Sequence, residues 1–441
     1  MSYPQAPGQE RRSLRWLWWL IVLLLVLPPV VALLAFRSWR AGVREELGAE
    51  IERIRAAGEP TTIEEIIPLI PVGGNNAADV YQQAFSSLQL TEEEEAEVVL
   101  PLPEGMDDEW LAAARDVVAR NEPCFELLDR ASNMPECVFP MNWYDPYSGT
   151  FPQYAEMRHA ARMLAFRSLV LAEDGKGDEA LASLRAAMRM SEHAQSNGML
   201  IGALVGWAIQ GITAARAQDV LSAATPSVAA CRETFEELDN LDPEAAFARA
   251  LRLERVVYGL DQTSPFRGSG LPDEMRKGAA LLALSIDYDQ LAYLRSMRRQ
   301  IDAVSLPWPR SKEESAGAYR EVEADNMFLT VLSRMISPTF SRAFESMEKV
   351  NARIGAWQIA LALTAYRAEK GRYPDDLAAL RAAGWDLPVD PFTQQDFRYR
   401  REGDGFVVWS LGPNMIDEGG EYRSPLKDAA APDDVAFRCE R

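Results

Sequence analysis

Two histidines, His159 and His193, and four cysteines, Cys124, Cys137, Cys231 and Cys439, are scattered through 441 residues. A structural or catalytic zinc site needs three or four converging ligands, and an activated nucleophile needs a base within reach. The histidines stand 34 residues apart with no carboxylate motif between them, so a structural role is the reading for both. No cysteine pair has CxxC spacing. Cys124 and Cys137 are the nearest pair, and either a disulfide or two buried thiols fits them. The chain holds no GxSxG, P-loop, HExxH or GxGxxG pattern. Carboxylates are abundant, Glu254 and Asp289 among them, and they would serve only a carboxylate-dependent hydrolase. That is kept as an alternative to the preferred reading, a binding protein without a catalytic centre.

The surrounding chemistry points the same way. Lys and Arg number 46 against 66 Asp and Glu, a formal charge of −20. Nucleic-acid binding draws on clustered cations that displace counterions, so nucleic acid is excluded as a partner class. Apolar residues at 48% and charged residues at 25% are those of a globular chain.

One segment is different in kind. From Trp16 to Phe36 the chain runs 21 residues without a charge, WLWWLIVLLLVLPPVVALLAF. About 20 apolar residues span a bilayer core as a helix. Trp16, Trp18 and Trp19 at one end and Trp39 beyond the other suit interfacial belts, and Pro28 and Pro29 predict a kink. The run is longer than the apolar region of a cleaved signal peptide, which predicts an uncleaved signal anchor. Arginines flank both ends, so charge barely sets the orientation. Long domains translocate largely regardless of charge, which places the tail in the cytoplasm and the body outside, at an inner or cytoplasmic membrane. The Leu200–Ile212 run is too short to span and reads as a buried helix.

Beyond the span, 37–60 reads as a helical stalk, and the Pro and Gly residues of 61–76 as a break before a helix capped by Asn76. TEEEEAE, from Thr91, reads as a solvated helix start. The 261–273 segment, rich in Gly, Pro and Ser, reads as an exposed loop. Helices follow over 274–304 and 311–336, and another long one starts at Pro338. The fold class is mainly α: a single N-terminal transmembrane helix, an irregular helical-hairpin domain, and a small C-terminal α+β module with a short antiparallel sheet. The corresponding segments are 1–13 (tail), 14–36 (anchor), 37–75 (stalk and linker), 76–337 (helical domain) and 338–441 (long helix and module).

AARMLAFRSLVLAEDGKGDEALASLRAAMRMSEH resembles a tetratricopeptide helix pair. Ala161, Leu164, Ser168 and Leu171 fall on the first helix, Ala180, Leu184 and Ala187 on the second, and Gly175 and Gly177 in the turn. Gly202, Ala214 and Pro226 take matching positions one period on, and the spacing of the histidines fits the same 34-residue period.

The tail carries a second resemblance. A long helix with Tyr366-Arg367 leads to Gly371-Arg372-Tyr373-Pro374, then Asp390-Pro391-Phe392, a strand from Phe397 to Arg400, a turn at Asp404-Gly405, and a strand ending Ser410-Leu411-Gly412. This ordered set, over about 351–422, is similar to the C-terminal region of the type II secretion major pseudopilins. The residues predict the same shape: alternation at Phe397 and Tyr399 and at Phe406, Val408 and Ser410, with DVAFRC as a third strand, gives a small antiparallel sheet packed on the 354–369 helix. The resemblance implies a calcium loop after the second strand, at Asn414, Asp417 and Glu418 with Glu421 nearby. Asn414 stands where the family usually has Asp. The apolar helix lies over 300 residues upstream and lacks the family's cleavage Gly and fifth-position Glu, so the chain is not expected to be processed or polymerised as a pilin. The function expected from all this is a membrane-anchored extracytoplasmic binding or scaffold protein. It would contact lipid through 16–36 and a protein partner through the helical body. An accessory role in a secretion or pilus-like assembly is the alternative that the tail suggests.

Overall fold

A computed structural model of the chain describes residues 15–67, 75–99, 107–143, 150–260, 279–421 and 433–440. The 1–13 tail, the Gly/Pro turn at 68–74 and the 261–273 loop named above lie outside them.

The apolar run and the stalk are one helix, α1, Arg15–Ala56, which continues through Pro28 and Pro29. Its two halves meet different surroundings. From Trp18 to Leu34 every large apolar side chain except Val22 stands exposed, Trp18 and Trp19 by more than 70%. Beyond Trp39 the helix packs on α11 (Ala279–Val304), burying Val43, Leu47 and Ile54. Ion pairs lock the two together: Arg40 and Arg44 share Asp287 at 3.0 and 2.9 Å, Glu46 meets Arg295 at 2.7 Å, and the buried Glu50 meets Arg298 at 2.7 Å. Both sequence numbers rise along this ladder, so the helices run parallel. The segment read as a free stalk is thus part of the body.

The body is built of packed helices, and from α6 to α9 they follow one another through short turns. Small helices α2 (Ala77–Ser87), α3 (Glu92–Val99), α4 (Asp108–Arg120) and α5 (Glu122–Ser132) cover one side. Asn76 caps α2 as read, and Thr91 and Glu94 exchange backbone N–H bonds in a capping box at α3. The central helices are α6 (Pro152–Glu173), α7 (Gly177–Gln195), α8 (Leu200–Ala223) and α9 (Val228–Asp239). Their turns need small residues. Gly175 has φ +75°, and a Cβ on Gly177 would come within 2.9 Å of the Pro226 backbone nitrogen. α8 begins at Leu200, beyond one 34-residue period from the start of α6. His159 and His193 therefore sit on the two arms of one hairpin rather than at equivalent places in successive hairpins. α10 (Pro243–Glu254) runs into a π-helical turn, Arg255–Leu260.

After α11, helix α12 (Arg310–Ala324) leads through a short loop to α13, Val331–Lys370. α13 starts earlier than the Pro338 read from sequence because Asp289, on α11, accepts the N–H groups of Leu332 and Ser333 at 2.8 and 3.0 Å. A buried carboxylate from another helix caps it. α13 ends at Gly371, φ +77°. A boundary at 338 falls inside α13, which packs on α8 and α9 and on the sheet alike.

The sheet has order β1-β2-β3, with β1 Arg398–Glu402, β2 Gly405–Ser410 and β3 Val435–Cys439, all antiparallel. Glu402 pairs with Gly405, so the two-residue turn is Gly403-Asp404, with Gly403 at φ +56°. Gly405 is already in the strand, where a Cβ would overlap the Cys439 carbonyl. β2 is buried along its whole length. Phe406 and Val408 join the main core, while Val407, Trp409 and Leu411 face the loop that follows. The strand end docks on the body through Arg438 N–H to Gln218 Oε1 (2.9 Å) and Glu440 N–H to Ser222 Oγ (3.2 Å).

Candidate functional site

Two surfaces concentrate polar groups. The first is a groove of about 830 Å³ whose floor is α6 and α7, with α4–α5 on one side and α9 on the other. Four arginines shape it. Arg167 forms a two-pronged pair with Asp129 (2.9 and 2.8 Å), donates to Ser183 Oγ, and lies 4.6 Å over the Phe125 ring. Arg185 reaches Glu233 at 3.0 Å. Arg189 meets Glu237 at 2.8 Å and Asn133 Oδ1 at 2.7 Å. Arg115 meets Asp174 at 2.6 Å. Among the described residues the lining offers guanidinium donors and carboxylate acceptors, and no Ser, Thr, Cys, His or Tyr. Such a surface suits a polar segment held by hydrogen bonds.

The second is the loop after β2. Asp390 anchors its entry: the buried carboxylate accepts Ser410 Oγ–H at 2.7 Å, Leu411 N–H at 3.2 Å, Phe392 N–H at 3.0 Å and Thr393 Oγ1–H at 3.1 Å. The Asp-Pro corner and the Ser-Leu-Gly end are thereby one unit. Of the residues read as calcium ligands, Asn414 accepts the Ile416 N–H and donates to Glu418 Oε1 at 2.7 Å. Asp417 Oδ1 accepts the Trp409 indole N–H and the Gly419 N–H, both at 3.0 Å. Glu421 is exposed at the end of the described loop.

Around this loop, Glu418 Oε2, Asp433 Oδ1 and Asp434 Oδ1 are shielded from solvent without a hydrogen-bond donor among the described residues. Asp434 Oδ2 accepts the N–H groups of Glu418 and Gly420 at 3.1 and 2.8 Å. Burial pushes Asp434 up to about 7, reinforced by the Glu418 and Asp417 carboxylates and opposed by the Gly420 N–H. Burial and Glu418 raise Asp433 as well. Burial and the crowding of Glu418, Asp433 and Asp434 thus make both aspartates hold a proton more tightly; Asp433 and Asp434 precede β3 and are not among the residues read from sequence. The available signal is the Asp-Asp pair directly before Val435, the first residue of β3. No group of three His, Cys, Asp or Glu among the described residues is gathered as a metal-ligand set.

The other candidates have structural work. His193 is buried, with Nδ1 2.9 Å from Tyr81 Oη and Nε2 3.0 Å from the Met134 carbonyl, and burial lowers its pKa. His159 lines a smaller hollow beside Glu95. Glu254 is fully buried, pushed up to about 7 by burial, and accepts the Leu200 N–H at the start of α8. Asp289 caps α13. The two carboxylates thus serve separate helix starts. No disulfide joins the four cysteines, and all of them are buried. Comparisons with protein-family models, with curated proteins and with solved structures find no match.

Proposed function

We propose that this chain is a single-pass, membrane-anchored binding or scaffold protein whose body projects on the extracytoplasmic side. The observation that carries the reading is α1. Its apolar half, with mean hydropathy 2.8 over the most apolar window, has no residue of that window buried, while the same helix is locked into the body from Val43 on. An exposed apolar helix of this length needs a bilayer or an equivalent apolar cover. Its rigid continuation holds the body at a fixed attitude to the membrane. The groove over α6 and α7 then faces outward partners as the binding surface, and its paired guanidiniums and carboxylates suit an extended polar segment of a protein.

The tetratricopeptide-like hairpin and the pseudopilin-like tail support a role in protein assembly, and the tail favours an accessory part in a secretion or pilus-like assembly over other scaffolds. The place we propose for a calcium ion is the tail loop at Asn414, Asp417 and Glu418, with Asp434 beside Glu418. Calcium takes six to eight oxygens, and main-chain carbonyls and water would complete the set.

The test is a cross-linked pull-down from membranes with wild type and with R115E/R189E. A protein recovered with wild type and lost with the variant supports the groove; equal recovery, or no partner, removes it. A periplasmic-type reporter fused after Arg441 checks the orientation, and an inactive fusion would reverse it.

A further inference from the structure

Met327, Phe328 and Met335 are among the most exposed large apolar residues outside α1, at 60%, 76% and 63%. Their location is specific. Trp39 follows the uncharged run of α1 by three residues, about 5 Å of helix rise. Its ring lies 5.8 Å from that of Tyr288 on α11. The Tyr288 hydroxyl donates to Asp325 at 2.6 Å, and Ser285 Oγ donates to the Phe328 carbonyl at 3.3 Å. The loop between α12 and α13 is thus fastened to α11 at the level where α1 leaves its apolar half.

The loop is also held in shape. Asn326 Oδ1 accepts the Phe328 N–H at 3.0 Å, the Leu329 N–H returns to the Asn326 carbonyl at 2.8 Å, and Arg334 donates to the Asp325 carbonyl at 2.8 Å. A fixed loop that keeps a Met-Phe pair in water has an unfavourable hydration cost with no internal gain. Of the carboxylates nearby, Asp287 is paired with Arg40 and Arg44, while Asp325 is tied by the Tyr288 hydroxyl and keeps its charge at the headgroup side of the loop. Exposed Arg37 stands one turn before Arg40, placed for lipid phosphate.

We propose that the 325–330 loop, with Met335, is a second bilayer contact, with Met327 and Phe328 inserted at the headgroup–acyl boundary of the leaflet from which α1 emerges. The proposal rests on the reading of α1 as a membrane span. Apolar tips at such a boundary enter roughly 5–10 Å. With α1 they would make two points of attachment, so the body would lie on the membrane surface and not swing about a single helix.

The test uses the full chain in vesicles of phosphatidylethanolamine and phosphatidylglycerol. An environment-sensitive fluorophore is placed by F328C, by L25C in mid-span, or by D404C on the distant hairpin turn; the native thiols are buried. Shallow and deep doxyl lipids serve as quenchers. The expected result is strong quenching at L25C by the deep quencher, quenching at F328C by the shallow one, and none at D404C. Quenching at F328C no greater than at D404C, with L25C quenched, overturns the second contact alone. An unquenched L25C overturns the membrane span and the contact with it. The unmodified chain gives an independent check with a headgroup photo-cross-linking lipid. Adducts on the 325–330 peptide are expected, whereas chain-to-chain cross-links there without lipid adducts would assign the patch to a second copy.

Discussion

Asp390 and Ser410, 20 residues apart, are joined by a 2.7 Å hydrogen bond that closes the C-terminal module. The same carboxylate holds Leu411 N–H, so the entry to the acidic loop is set by the Asp-Pro corner. Removing the carboxylate in Asp390→Ala leaves four buried or half-buried donors unmatched. A loss of about 3 kcal/mol is expected, since charged hydrogen bonds contribute roughly 1.5–3 kcal/mol and orphaned donors add to the loss. Thermal melts of the full chain in detergent read it, and Asp390→Asn should recover part. A melting temperature unchanged in Asp390→Ala would deny the anchor.

Asp434 predicts a pH dependence. Its folded pKa, about 7, lies above the unfolded value of about 3.9. The folded chain therefore binds the proton more tightly. The resulting stability is full below about pH 4 and is lost as pH rises through 7. Asp434→Asn keeps an oxygen for the Glu418 and Gly420 N–H groups, so it should flatten that slope and raise stability at pH 8. Calcium at pH 8 should raise the melting temperature of wild type and not of the variant. An identical response of both to calcium and pH would place the ion, if any, elsewhere.

His193 works with the opposite sign. Burial holds its folded pKa below the usual value, so stability is present above about pH 6.5 and lost as pH falls below it. Exchange of the amides around Tyr81 and Met134, its two partners, should quicken at pH 5 before the rest of the body responds. His193→Gln should abolish that local acid sensitivity; a variant that keeps it would point to another group.

Some of this was legible in the residues and some was not. The exposed half of α1 follows from an uncharged run, and β1, β2 and β3 follow from alternation and turn residues, because both signals are local. The packing of 37–56 was hidden because it depends on Asp287, Arg295 and Arg298, about 250 positions away. The start of α13 was misplaced for the same reason: Pro338 is a local signal, and the Asp289 cap on Leu332 is not. Asp433 and Asp434 carry no local signal because their importance comes from lying against Glu418 and Gly420, more than ten positions earlier in the chain.

Glu50 tests whether α1 is one rigid lever. It is buried between α1 and α11 and pairs with Arg298 at 2.7 Å and with Arg53 one turn on. Breaking a buried pair by removing one partner leaves an uncompensated charge and typically costs about 3–5 kcal/mol. Arg298 and Arg53 are partly exposed, at 36% and 59%, so solvent screening should bring the loss for Glu50→Ala to about 2 kcal/mol. Undocking should also open the 37–56 segment to protease while the sheet keeps its protection. The double variant E50A/R298A should lose less than the two single variants combined, since each single change removes the same contact. Additive losses, or unchanged proteolysis, would mean that Val43, Leu47 and Ile54 alone hold α1 to the body.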